Sequence, residues 1–233
     1  MRYFLGKVFN NSIKMKNYKL IIFDWDGTLF DSGSYIVRCF QQTAQELDVE
    51  LAAEKVIRNS IGMNLDYALD WIVPNLPKEK IDPFIRTFHY KMENNVGNGP
   101  GLFDGAKDVL QQLHMDGYLL AIATGKRRSH LAQDLSNTAL SSLFLSSRCG
   151  DETFSKPNPQ MVLEILGELA MKPNEALMIG DTEYDMQAGL NAGTDVIGVS
   201  YGMHTEAALR KHAIQHCLSD IRELSVWLAR YGK

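Results

Sequence analysis

From Phe103 onward the chain alternates short apolar runs with helical patterns, and few folds accommodate that alternation. Runs at Tyr118–Ala123, Ala176–Ile179 and Val196–Val199, with weaker ones near Leu145–Cys149 and over residues 214–217, are too short for helices and read as strands. Between them the apolar spacing predicts helices over Ala106–Met115, Ser129–Asn137, Gln160–Ala170, Tyr184–Asn191 and residues 203–212. Gly117 follows the first of these as a C-terminal cap. A last helix through Leu228 is expected to start from an N-cap and capping box at Asp220 and Glu223. Strands separated by helices of this length form a parallel sheet covered on both faces. The expected fold is α/β, a parallel Rossmann-like sheet core.

One more strand precedes this series. Leu20–Phe23 is a continuous apolar run that ends in Asp24-Trp25-Asp26-Gly27-Thr28. Residues two apart on an extended chain share a face, so the two carboxylates stand side by side before Gly27 turns the backbone away. Adjacent carboxylates repel, and one is driven neutral unless a cation lies between them. Mg²⁺ favours carboxylate oxygens together with waters and substrate phosphate. Two other strands end in polar groups, at Thr124 and at Asp181, and parallel strands bring such ends to one edge, where α/β sheets bind ligands.

The hydroxyl of Thr124 and a close backbone approach at Gly125 suit an anion. Lys156 supplies a fixed cation that can hold a phosphate dianion near a carboxylate. Asp181 is aimed at Asp24 and Asp26 and reads as a metal ligand. Asp185, four residues on at a helix start, reads as a capping-box partner of Thr182, as a metal-site acid, or both. Lys126-Arg127-Arg128 reads first as a solvated helix start, with a contact to an anionic substrate as the alternative. His89, His114, His130, His204, His212 and His216 form no metal-ligand pattern and read as structural or surface residues.

Between Ser34 and Val96 no strand pattern occurs. Helices are expected near residues 35–47, 53–58, 64–72 and 78–93, with Pro74, Pro77 and Pro83 as breaks or first-turn residues. Gly97-Asn98-Gly99-Pro100-Gly101 reads as a linker, and Ser32-Gly33-Ser34 is the other crossing. The expected organisation is a catalytic core of residues 15–33 and 97–233, an all-helical cap over 34–96 that hinges over the acids, and a peripheral extension over 1–14.

Composition narrows the function classes. A net charge of −4 gives no reason to expect nucleic-acid binding, and no apolar run approaches a membrane span. The three cysteines, Cys39, Cys149 and Cys217, are far apart, read as small buried hydrophobes and fit a reducing cytoplasm. Oligomeric state is not legible.

Asp24-x-Asp26-Gly27-Thr28, Thr124-Gly125, Lys156-Pro157 and Gly180-Asp181-x-x-x-Asp185 stand in the order of the four motifs of the haloacid dehalogenase superfamily. The chain resembles the subfamily with a helical cap after the first motif, similar to phosphoglycolate phosphatase. Two positions differ: Trp25 replaces a more usual Phe or apolar residue, and Thr124-Gly125-Lys126 stands where those phosphatases often read Thr-Asn-Lys. The resemblance implies a Mg²⁺-dependent phosphatase acting on a small phosphorylated metabolite such as a phosphoglycolate-like acid or a sugar phosphate. It implies that Asp24 attacks phosphorus to form an aspartyl-phosphate and that Asp26 serves as general acid and then base. Asp24, Asp181 and the backbone carbonyl of Asp26 would hold the metal, with Asp185 in support. Thr124, Gly125 and Lys156 would cradle the phosphoryl oxygens. Arg58 and the Ile61-Gly62 turn are the cap elements expected to meet substrate. Alternatives are phosphotransfer, as in the similar β-phosphoglucomutases, and a non-catalytic phospho-acceptor or binding module.

Overall fold

The computed structural model describes residues 16–94 and 101–232. In chain order the elements begin with β1 (Leu20–Phe23), α1 (Gly33–Leu47), α2 (Glu54–Ser60), α3 (Leu65–Ile72), α4 (Lys78–Asn94), α5 (Ala106–Met115) and β2 (Leu119–Ala123). There follow α6 (Arg128–Thr138), β3 (Phe144–Arg148), α7 (Gln160–Glu168), β4 (Ala176–Gly180), α8 (Glu183–Asn191) and β5 (Asp195–Val199). The series ends with α9 (Glu206–Leu209), β6 (His216–Leu218) and α10 (Glu223–Tyr231). The strands form one parallel sheet in the order β3-β2-β1-β4-β5-β6. Chain order reverses between β1 and β4, so a crevice opens where their C-terminal ends diverge.

β1 is the hub because both its edges are paired: Phe23 aligns with Ile122 of β2 on one side and Ile179 of β4 on the other. Its four residues are fully buried, and their alternation assigns them to two different cores. Ile21 and Phe23 join Leu120, Ile122, Leu177 and Ile179 beneath α5, α6 and α10. Leu20 and Ile22 join Ala121, Ala123, Ala176 and Met178 beneath α7, α8 and α9. With side chains enclosed on both faces, an unbroken apolar run is the sequence such a strand requires.

The four helices α1–α4 enclose a third apolar cluster, built on Phe40, Ile57, Leu69, Ile72, Phe84 and Phe88. The rings of Phe40 and Phe88 stack at 4.2 Å. No strand occurs among the described residues between Ser34 and Asn94. The outgoing and returning chains run side by side: the Asp31 N–H donates to the Gly101 carbonyl at 2.8 Å, and the Phe103 N–H to the Leu29 carbonyl at 3.0 Å. Of the expected Gly97–Gly101 linker, residues 97–100 lie outside the described residues, as does the extension over 1–14.

Three local expectations are corrected. The helix expected over residues 203–212 shrinks to the four residues of α9. The His204 N–H instead bonds the Asp181 carbonyl at 3.2 Å, and the Thr205 side chain caps a later start by accepting from the Ala208 N–H. The capping box expected at Asp220 and Glu223 is absent: Arg222 holds the N-cap position, Asp220 accepts from the Arg222 N–H, and Glu223 reaches back to Ser219. Pro83 lies inside α4, beyond its first turn, and costs that helix one backbone bond.

Among the described residues no helix is long and apolar enough to cross a membrane. Cys39, Cys149 and Cys217 are buried, and none forms a disulfide among the described residues.

Candidate active site

The C-terminal ends of β1 and β4 deliver Asp24 and Asp181 to the same point, and the first turn of α8 delivers Asp185. Each of the three offers a carboxylate oxygen within 4.8 Å of the others, and all three are buried. Lys156, also buried, bridges two of them, donating to Asp24 Oδ1 at 2.7 Å and to Asp185 Oδ1 at 2.6 Å. The other oxygen of Asp185 accepts from the Thr182 N–H and hydroxyl, closing a reciprocal capping box at the start of α8. Asp185 therefore caps α8 with one carboxylate oxygen while the other lies in the acid cluster.

Asp181 is enclosed by backbone. It accepts from the Thr28 hydroxyl at 3.0 Å and from the Met203 N–H at 2.7 Å. Gly27, at φ +87°, passes so close that a Cβ there would lie 2.2 Å from Asp181 Oδ2. Only a residue that tolerates positive φ and has no side chain fits this turn.

One ammonium against three carboxylates leaves two negative charges in a water-poor pocket. Burial pushes the Asp24 carboxyl up to about 7 against the pull of Lys156, and Asp185 adds to the rise. Burial first, then Asp24 and Asp185, hold Asp181 well above the usual carboxylate range. Burial works against the charge on Lys156, but Asp185 and Asp24 outweigh it and raise its pKa. Asp24 Oδ2 is buried and has no hydrogen-bond partner among the described residues. A divalent cation would satisfy that oxygen and cancel the surplus charge, so the residues present fit a hard metal ion.

Asp26 faces away from this cluster. Its Oδ1 accepts from the Ser32 hydroxyl at 2.6 Å and from Lys126 Nζ at 2.9 Å. Lys126 also reaches Asp134 Oδ2 at 3.2 Å, and Asp134 accepts from the Trp25 indole N–H at 2.9 Å. Lys126 is 9% exposed, which corrects its reading as a solvated helix start. Of its neighbours in that triplet, Arg128 is tied to Glu152 and Ser147, and Arg127 is exposed.

Above the acids lies a cavity of about 420 Å³. Asp24, Asp26, Thr124, Gly125 and Lys126 line its floor, and the helices α1, α3 and α4 line its roof. Gly62 lines it too, at the contact between roof and floor. Arg58 does not: it bonds Glu54 and the Ser34 hydroxyl at the crossing between the insert and the core. Lys156 lies behind Asp24 rather than in the cavity wall.

Residues 21–199 match the haloacid dehalogenase-like hydrolase family. The chain belongs to this family. As a member of it, the chain is 31% identical to a phosphoglycolate phosphatase of Pasteurella multocida over 81% of its own length and 88% of that protein. It is 29% identical to pyrophosphatase PpaX of Bacillus pumilus, over 88% of this chain and 93% of that one. The crystal structure of a predicted phosphoglycolate phosphatase from Haemophilus somnus superposes with a TM-score of 0.82 at 26% identity, covering 90% of this chain and 97% of that one. Haloacid dehalogenase-like phosphatases generally work with a divalent metal, and the Asp24–Asp181–Asp185 cluster is a group that could hold one.

In this hydrolase His89, His130 and Asn64 are among the cavity residues that escaped the sequence reading as site candidates. The two histidine rings lie 5.4 Å apart, and Asn64 donates to the Gly150 carbonyl at 3.0 Å across the insert–core contact. No pattern marks them in sequence. Lys126 did carry a signal, since it follows Thr124 by two residues at a strand end.

Proposed function

We propose that this chain is a Mg²⁺-dependent phosphomonoesterase acting on a small phosphorylated metabolite through an aspartyl-phosphate. The observation that carries the reading is Asp24: a buried carboxylate at a cavity floor, with one oxygen on Lys156 and the other without a partner among the described residues. Lys156 keeps Asp24 oriented and favours its ionised form, the state a nucleophile needs. Asp26, held by Ser32 and Lys126, lines the cavity with Asp24, which supports a role in giving a proton to the departing alkoxide. The same carboxylate then takes a proton from the water that opens the acyl-phosphate. Thr124 and the Gly125 backbone offer donors to the phosphoryl oxygens. Asp24, Asp181 and the Asp26 carbonyl would hold Mg²⁺, with Asp185 in support, and the ion would supply charge neutralisation between carboxylate and phosphate.

The insert expected over residues 34–96 acts as the cap of this enzyme, a reading supported by its described part, residues 34–94, which has its own apolar core and roofs the cavity. Three buried cysteines in thiol form and a net charge of −4 favour a cytoplasmic protein with no nucleic-acid partner.

The test is hydrolysis of p-nitrophenyl phosphate, with acid quenching to trap phosphorylated protein. The wild type is expected to turn over only with added Mg²⁺ and to yield a hydroxylamine-labile phosphoprotein. Asp24→Asn is expected to abolish both signals, and substantial Mg²⁺-dependent turnover by that variant would refute the covalent route. Phosphate appearing on an added sugar rather than in solution would instead identify a phosphotransferase.

A further inference from the structure

The cavity over Asp24 does not stop at the polar floor. It runs up into the insert, where Ile36, Phe40, Ala68, Ile72, Phe88 and Met92 line it. The first five are buried members of the insert's apolar cluster, and Met92 packs against it. Protein cores ordinarily close on themselves at crystal-like density. This one opens toward the acids, and apolar side chains left facing a cavity favour being covered by an apolar guest. At about 420 Å³ the space falls within the range of pockets that enclose a complete small molecule.

Positive charge on the cavity wall is sparse. A leaving group that carried a carboxylate or a second phosphate would need an uncommitted cation. Among the described residues the lysine and arginine side chains that line the cavity are Lys126 and Arg127. Lys126 is committed to Asp26 and Asp134, which leaves Arg127, exposed and with no ion pair among the described residues, as the cation open to an anionic group. Burial lowers the pKa of both His89, to about 4, and His130, so neither ring offers a charge at neutral pH. Asp66 and Asp151 add negative charge to the wall.

We propose, building on the phosphatase reading above, that the cavity receives the alcohol portion of the phosphomonoester. That portion is a bulky, uncharged, apolar group, aryl or medium-chain alkyl. The step balances in two halves: Asp24 bonds phosphorus as the P–O bond to the alcohol breaks and the alcohol leaves with the proton from Asp26, and water then displaces Asp24 from phosphorus, gives a proton back to Asp26 and releases inorganic phosphate. The roof then acts as a gauge of apolar volume, and the floor performs the chemistry.

The experiment is a series of n-alkyl phosphates, ethyl to octyl, whose alkoxides have similar basicity, alongside phosphoglycolate and pyrophosphate. In the Mg²⁺-loaded wild type, kcat/KM is expected to rise about fourfold for each methylene until the space is filled. Ala68→Phe, which adds a ring to the roof, is expected to lower the hexyl-to-ethyl ratio of kcat/KM by about tenfold or more. Because that variant could fail to fold, binding to Asp24→Asn by calorimetry provides an independent reading, with hexyl phosphate expected to outbind phosphoglycolate. A flat alkyl series, or a preference for phosphoglycolate or pyrophosphate, overturns the inference and leaves the phosphatase reading standing. No turnover of any ester, p-nitrophenyl phosphate included, overturns both.

Discussion

Gly62 and Gly125 meet backbone to backbone: a Cβ on Gly125 would lie 2.9 Å from the Gly62 carbonyl oxygen. The insert and the sheet therefore approach each other at the cavity mouth with no side chain between them. Gly125→Ala is expected to push the roof outward while leaving each half folded. A displacement of this size can cost on the order of 10²-fold in kcat/KM. Steady-state kinetics together with circular dichroism check this, and an unchanged kcat/KM would show that the contact has no bearing on turnover.

The acid cluster predicts a metal effect on stability that is separate from catalysis. Mg²⁺ at a concentration 100 times its Kd should add about 2.7 kcal/mol to the folded state. Asp181→Asn removes one of three crowded carboxylates, so it should melt higher than the wild type in chelator and respond little to Mg²⁺. Scanning calorimetry with and without chelator reads both. A variant with full Mg²⁺ stabilisation would remove Asp181 from the ligand set.

His89 predicts a pH effect. Burial, with Arg127 and His130, lowers its folded pKa from 6.5 to about 4. Between those values the unfolded chain binds the proton and the folded one does not, so stability rises with pH across the window and is lost as pH falls through it. His89→Gln should flatten that slope, by about 2 kcal/mol after allowance for the ring's partial exposure. Urea unfolding of both proteins at pH 4.5 and 7.5 measures the difference, and parallel profiles would contradict it.

Lys126 is the cation between Asp26 and Asp134, and its removal leaves two enclosed acids unpaired. Lys126→Met is expected to destabilise the fold by about 3–5 kcal/mol. Adding Asp134→Asn should recover part of that loss, because the two sites share one network. Strict additivity in the double-mutant cycle would mean that Lys126 and Asp134 do not interact.

The sheet was legible because a strand enclosed on both faces must be apolar throughout, as Leu20–Phe23 and Ala176–Ile179 are. The acids were legible because parallel strands bring Asp24 and Asp181 to one edge. Lys126 was misread because its environment depends on Asp134, placed by α6, and on Asp26, 100 residues away. His89 and His130 come from the insert and the core, and no spacing rule connects them. The stretch after Met203 has helical composition, yet only Glu206–Leu209 are helical, because His204 is used instead to bond the Asp181 carbonyl, the Glu183 N–H and the Asn59 carbonyl.

The hydrogen bond from Asp31 to Gly101 has an architectural consequence. The sheet loses and regains its chain at two points one peptide apart, so its hub strand and its next helix stay joined whatever lies between them. Excising the intervening segment would leave ends that a short turn could seal, with the register of β1 against β2 and β4 untouched. The sheet thus presents a socket, into which roofs of different size and lining can be spliced without rebuilding the chemistry underneath.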